Sequence, residues 1–145
     1  MYKLLSSLLL FSLLALPISV PAHEGEDHEH DEAASSSDLE SGNGWRLVRK
    51  VELGDSGKFI YLVLVDHAVH TDRTIYSAAI NRLCGQNDEF CRIRFWSQEK
   101  YVPEKATMTV EQNKHLRADY LVNKEAGMQH LRWSCSVNPD KNHCF

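Results

Sequence analysis

The sequence lacks the short motifs by which many enzymes are recognised. It contains no Gly-x-Ser-x-Gly, no phosphate-binding loop, no His-Glu-x-x-His and no glycine-rich dinucleotide turn. It also has no Cys-x-x-Cys spacing, which argues against catalytic or metal-binding thiols. We therefore predict that the protein is not an enzyme, because no catalytic constellation can be recognised in it.

Long hydrophobic runs are scarce as well. The run Leu4 to Leu16 has thirteen residues, three of them serines, whereas a membrane-spanning helix needs about 20 apolar residues. Lys3 precedes the run and Val20-Pro21-Ala22 follows it, which is the pattern of a secretory signal peptide. We expect residues 1–22 to be a signal peptide, no transmembrane segment to remain after cleavage, and the mature protein to be periplasmic or secreted.

Positive charge is absent from residues 23–44, which carry eight acidic side chains and no Lys or Arg. Residues 45–145 carry 12 acidic side chains and 15 Lys or Arg, so they form a mildly basic region. Residues 33–44 are small, polar and glycine-containing, which is typical of a flexible linker. The sequence predicts a disordered acidic, His-rich tail and linker over 23–44 and one folded domain over 45–145.

The acidic tail contains three histidines, His23, His28 and His30. Imidazoles and carboxylates are good ligands for zinc and copper. Cleavage after Ala22 would leave His23 with a free α-amine beside its imidazole, a chelating pair that suits Cu(II). The tail therefore predicts binding of a divalent metal ion, zinc or copper. The alternative is a solvated acidic tail with incidental histidines.

A second pair of histidines, His67 and His70, lies in the segment Asp66-His67-Ala68-Val69-His70. This segment follows an apolar run and precedes a helical pattern, and the connection between a strand and a helix is a common place for a functional site. We consider His67 and His70 as further metal ligands, together with the tail or with His115 or His130. The alternative is an ordinary polar loop, because spacing alone is a weak signal.

Four cysteines in an exported chain predict two disulfides. Three pairings are possible. We favour Cys84–Cys91 and Cys135–Cys144, because the members of each pair are close in sequence.

The remaining pattern predicts an α+β domain. Two strands lie near Trp45–Leu53 and Phe59–Val65, and a helix follows Thr71 and Asp72. A third strand begins at Cys91, a capping box at Thr109–Gln112 predicts a second helix to about Asn123, and a last strand contains Leu131–Cys135. The order β-β-α-β-α-β predicts a small four-stranded, mainly antiparallel sheet with both helices on one face.

Basic residues alternate with apolar ones in the third and last strands. Arg92, Arg94 and Trp96 lie opposite the core positions of one strand, as His130 and Arg132 do in the other. If the two strands are neighbours, Arg92, Arg94, Trp96 and Arg132 form a basic face that could bind an acidic partner, an anionic glycan or the protein's own acidic tail. The alternative is a solvated sheet face. Nucleic acid is not an expected partner of an exported protein.

Two functions are consistent with these features. The first is a periplasmic metal-binding or metal-handling accessory protein that uses its tail. The second is a secreted protein-interaction module, an inhibitor or an assembly partner of an envelope protein, that uses the Arg-rich sheet face.

Overall fold

A computed structural model describes residues 39–86 and 88–145 of the chain. The predicted signal peptide and His23, His28 and His30 lie outside the described residues. The helices are α1 (Arg73–Leu83) and α2 (Val110–Lys114). The strands are β1 (Ser41–Gly42), β2 (Trp45–Glu52), β3 (Phe59–Val65), β4 (Phe90–Trp96), β5 (Leu116–Asn123) and β6 (Met128–Trp133).

The strands form one mixed sheet in the order β1-β2-β3-β4-β5-β6. Among the strands that the structure describes, β3 and β4 are the parallel pair, because α1 carries the chain back across the sheet between them. The other neighbouring strands are antiparallel. The α+β class is confirmed, but the four-stranded sheet was wrong: the described residues contain six strands, and the sheet begins ahead of Trp45.

Strand β3 is apolar on both sides and is covered on both. Val63 and Val65 pack with Tyr76 and Ala79 of α1 in one hydrophobic cluster, the α1 cluster. Ile60 and Leu62 point to the opposite side and belong to a second cluster, together with these residues from other segments: Trp96, Val102 and Leu116. The segment between β4 and β5, the covering segment, therefore buries one face of β3, and α1 buries the other.

A bulge in β2 explains why its apolar pattern is irregular. The register with β3 shifts between Leu47 and Arg49, so odd-numbered residues before the shift and odd-numbered residues after it lie on opposite faces of the sheet. Leu47 packs in the α1 cluster, whereas Val51 packs in the second cluster. Arg49 interrupts the apolar pattern because its guanidinium donates a hydrogen bond of 2.7 Å to the carbonyl of Pro103 and holds the covering segment in place.

The second helix is much shorter than predicted, and the prediction of a helix to Asn123 was wrong. The capping box is present, with Thr109 and Gln112 bonded reciprocally, yet α2 ends at Lys114 and β5 begins at Leu116. Strand β5 pairs with β4 on one side and β6 on the other, and these two ladders outweigh a local helical preference. The two helices are also not on one face, because the Trp96 indole in the second cluster donates to Gln112 of α2.

Both predicted disulfides are confirmed. Cys84–Cys91 joins the end of α1 to β4, and Cys135–Cys144 fixes the segment after β6. The members of each pair are 7 and 9 residues apart.

We predict that reduction lowers the melting temperature of the domain. Closing loops of this length stabilises a fold by about 2–3 kcal/mol each in the chain-entropy model. Thermal unfolding followed by circular dichroism with and without a reductant measures the difference. Equal melting temperatures would contradict the prediction.

Asp72 caps α1, as the sequence predicts. Its carboxylate accepts hydrogen bonds from the Thr74 backbone N–H at 2.9 Å and from the Thr74 hydroxyl at 2.7 Å. These bonds, led by the one from the hydroxyl, lower the pKa of Asp72 from its ordinary value of 3.8.

We predict a pH-dependent loss of stability in Asp72→Ala. Because the pKa is lower in the folded state, the ionised cap stabilises the fold fully above pH 3.8, and this contribution disappears as the pH falls through the folded pKa. The melting temperature of the variant should therefore be lower than that of the unmodified protein at pH 7, and the gap should narrow in strong acid. A gap independent of pH would exclude the carboxylate as its source.

Candidate functional site

The loop after β3, residues 66–70 (the histidine loop), is held against the start of β2. The Asp66 backbone N–H donates to the Gly44 carbonyl at 2.8 Å, and the Asp66 side chain accepts from Ala68 at the start of a short 3-10 turn, His67–Val69. Gly44 lies close to this loop: a Cβ added to it would lie 3.3 Å from the Val69 side chain. Gly44 also has a φ of +76°, which favours glycine. The two predicted site histidines thus lie on a loop of defined conformation.

One ring nitrogen of His70 takes part in a hydrogen bond within the loop. Its Nδ1 lies 2.7 Å from the carbonyl oxygen of His67, and a carbonyl can only accept, so Nδ1 carries the proton. The Nε2 atom of the neutral ring then has a free lone pair. The His67 ring stacks on the His70 ring with centroids 5.1 Å apart and planes 9° apart. The loop therefore presents two stacked imidazoles, of which His67 is exposed and His70 is half-exposed.

The buried side chain of Tyr76 holds the His70 backbone in place. Its hydroxyl donates a hydrogen bond of 2.6 Å to the His70 carbonyl, and its ring lies edge-on to Phe95 and Trp133 in the α1 cluster. Burial raises the pKa of Tyr76 well above its ordinary value, so the hydroxyl stays protonated and keeps donating. The core of the domain thereby fixes the backbone of the histidine loop.

A cavity of about 480 Å³ opens beside this loop. It lies at the carboxyl ends of β3 and β4, the end of a parallel strand pair where α/β proteins commonly bind ligands. Its polar lining includes Asp66, His67, Ser97 and Arg46. Arg46 is paired with Glu99 at 2.7 Å, and Ser97 accepts a bond from an arginine of β5, so these two polar groups already have partners.

The histidine loop does not form a complete metal centre. In residues 39–86 and 88–145, no group of three or more His, Cys, Asp or Glu side chains is arranged to hold a metal ion. His115 lies elsewhere, stacked on Tyr101 and bonded to Glu111, and is not brought to His67 and His70. The role of His67 and His70 as metal ligands stays a prediction.

The face predicted to be open and rich in arginine is largely covered. Trp96 is fully buried and Arg94 is 8% exposed. Arg92 is half-buried, and Arg132 is the exposed member of the predicted set. Sequence alternation identifies the side of the sheet on which these residues lie, but the segment between β4 and β5 covers that side at β4. The two strands that carry these residues are also not neighbours, as the prediction required, because β5 lies between β4 and β6. Partner binding through the four residues stays a prediction.

Asp119 explains why two arginines can share this face. Its carboxylate accepts bonds of 3.1 and 2.6 Å from Arg92 and lies 3.7 Å from the Arg94 Nε. Arg94 also donates to the Ala106 carbonyl at 2.7 Å, whereas its Nε is buried without a hydrogen bond. Burial, and secondarily the charge of Arg92, lower the pKa of Arg94. Sequence reasoning missed Asp119 because it placed this residue in a helix.

We predict that Asp119→Asn destabilises the domain by about 2–4 kcal/mol, because it leaves two neighbouring guanidiniums without a compensating charge. Asp55→Asn, in an exposed turn, is the matched control and should change little. Urea unfolding of the two variants measures the difference. Equal unfolding free energies would show that the Asp119 charge is not required.

The comparisons give no family for this chain: no protein-family profile, curated protein or solved structure matches it. Within the part of the chain that the structure describes, no helix is long and apolar enough to cross a membrane.

Proposed function

We propose that this is an exported metal-handling accessory protein. His23, His28 and His30 of the acidic tail would capture a divalent ion, zinc or copper, and His67 and His70 would provide a second binding point on the domain. The proposal combines the ligand chemistry of the tail sequence with the geometry of one loop.

The observation that carries the proposal is the bond between the His70 Nδ1 and the His67 carbonyl. Metal-binding histidines usually donate one ring N–H to a carbonyl or carboxylate, which fixes the tautomer and leaves the other nitrogen free to coordinate. His70 has this arrangement. Its Nε2 is therefore already in the form that coordination requires.

The number of ligands favours transient binding. Asp66, His67 and His70 are neighbours in sequence, but they do not form a three-ligand group. A site formed by the His70 Nε2 and solvent, with the His67 ring turned toward the same ion, would be open, whereas structural zinc sites are closed by four protein ligands. An open site suits an ion that is received and passed on.

The path of the chain gives further support. Strand β1 leads through a turn to Gly44, whose carbonyl holds Asp66. Residues 41–44, at the start of the described domain, thus lie next to the histidine loop.

Titration calorimetry with Zn(II) and Cu(II) on the mature protein tests the proposal. We expect the double variant His67→Ala/His70→Ala to weaken binding at the domain site by about tenfold or more. The double variant His28→Ala/His30→Ala should weaken binding at the tail site by a similar factor. Point substitutions are preferable to deletion of residues 23–44, which would remove β1.

His143→Ala is the matched control, because His143 is an exposed imidazole bonded to Asp140 and distant in sequence from both elements. It should leave binding unchanged. Binding should also weaken between pH 7.5 and 5.5, because imidazole must be neutral to coordinate. Affinities that none of the histidine substitutions alters would contradict the proposal.

A further inference from the structure

Strand β6 forms one edge of the sheet, and its backbone groups point alternately inward and outward. The Ser134 N–H donates to the Arg117 carbonyl of β5 at 2.8 Å, so the even-numbered positions face β5. Because N–H and C=O directions alternate along a strand, Gln129, Leu131 and Trp133 direct theirs away from the sheet.

The outward side of β6 is covered at one end only. The Phe145 N–H donates to the Trp133 carbonyl at 2.9 Å, and Trp133 forms a parallel bridge with Cys144. Among residues 39–86 and 88–145, no other segment pairs with this side of β6. The outward N–H and C=O groups of Gln129 and Leu131 are thus open to an added strand.

The two faces beside this edge differ in chemistry. One face carries His130 and Arg132, and β6 contains no acidic residue. Arg132 is exposed and lies 5.3 Å from the centre of the Phe145 ring. Asp119 opposes Arg132 in the ladder, but Arg92 and Arg94 already engage its carboxylate. The net charge of this face is therefore positive.

The other face of the edge is apolar at Leu131 and Trp133, whereas Gln129 is its exposed polar member. Leu131 and Trp133 are half-buried and extend the hydrophobic cluster under α1 to the edge of the sheet. A strand added here would place alternate side chains beside these two residues and beside the basic pair.

We infer that the open edge of β6 binds an extended segment of a partner protein in which apolar and acidic side chains alternate. Main-chain hydrogen bonds to Gln129 and Leu131 would give affinity, as in other strand-addition complexes, and Arg132 would select acidic residues. The site is separate from the metal-handling function proposed above and does not depend on it.

A synthetic peptide, acetyl-Val-Glu-Val-Glu-Val-Glu-amide with a fluorescent label, is the probe. Fluorescence anisotropy measures its binding to the full mature chain. Gln129→Pro removes an outward N–H and leaves the β5 ladder intact, a change that edge strands tolerate. We expect it to weaken binding by about tenfold. Gln129→Ala loses the same exposed side chain but keeps the N–H, so it should bind normally.

The charge requirement has its own test. Arg132→Glu should reverse the preference between the glutamate peptide and an otherwise identical lysine peptide, whereas Lys105→Glu, an exposed charge in the segment between β4 and β5, should not. Equal binding by Gln129→Pro and Gln129→Ala, or no binding of the peptide at all, would overturn the inference. A dimer of the protein that Gln129→Pro abolishes would also overturn it, because the occupant would then be a second copy.

Discussion

The need to cover β3 on both faces determines the arrangement of the domain. Val63 and Val65 require α1 on one side, and Ile60 and Leu62 require the segment between β4 and β5 on the other. Each fully buried aliphatic side chain contributes about 1.5–3 kcal/mol relative to exposure. The crossover through α1 then makes β4 parallel to β3, and the covering segment encloses Arg94 and Trp96.

The same constraint organises the histidine loop. Because α1 must pack on the sheet, the chain leaving β3 turns sharply at Asp66, and Tyr76 of α1 lies directly beneath His70. The hydrogen bond from Tyr76 couples the loop backbone to the buried aromatic cluster. A surface pair of imidazoles is thereby ordered by the core, which reduces the entropy lost when a ligand is bound.

Local sequence signals predicted a large part of this fold. The strong alternation of β4, the cap at Asp72 and the short cysteine spacings each lead to a correct element, because their information lies within a few residues. The helix expected after Thr109 failed because Leu116 and Tyr120 fit helical spacing as well as a strand, and only pairing with β4 and β6 decides between them. The alternation of basic and apolar residues in β4 likewise could not reveal that the segment between β4 and β5 covers the arginine-rich face. It also could not reveal that Asp119 neutralises part of the charge on that face. In the site, the sequence identified His67 and His70 but not the support from Tyr76, which comes from tertiary packing.

A long-range ¹H–¹⁵N spectrum of histidine-labelled protein, recorded before and after addition of Zn(II), tests whether the His70 ring is held in the tautomer that binds metal. It reports the tautomer and the metal contact of each ring separately. Our account predicts that the metal-free His70 is protonated at Nδ1 and that Zn(II) shifts its Nε2 resonance. A ring protonated at Nε2, or a His70 signal that saturating Zn(II) leaves unchanged, would contradict it.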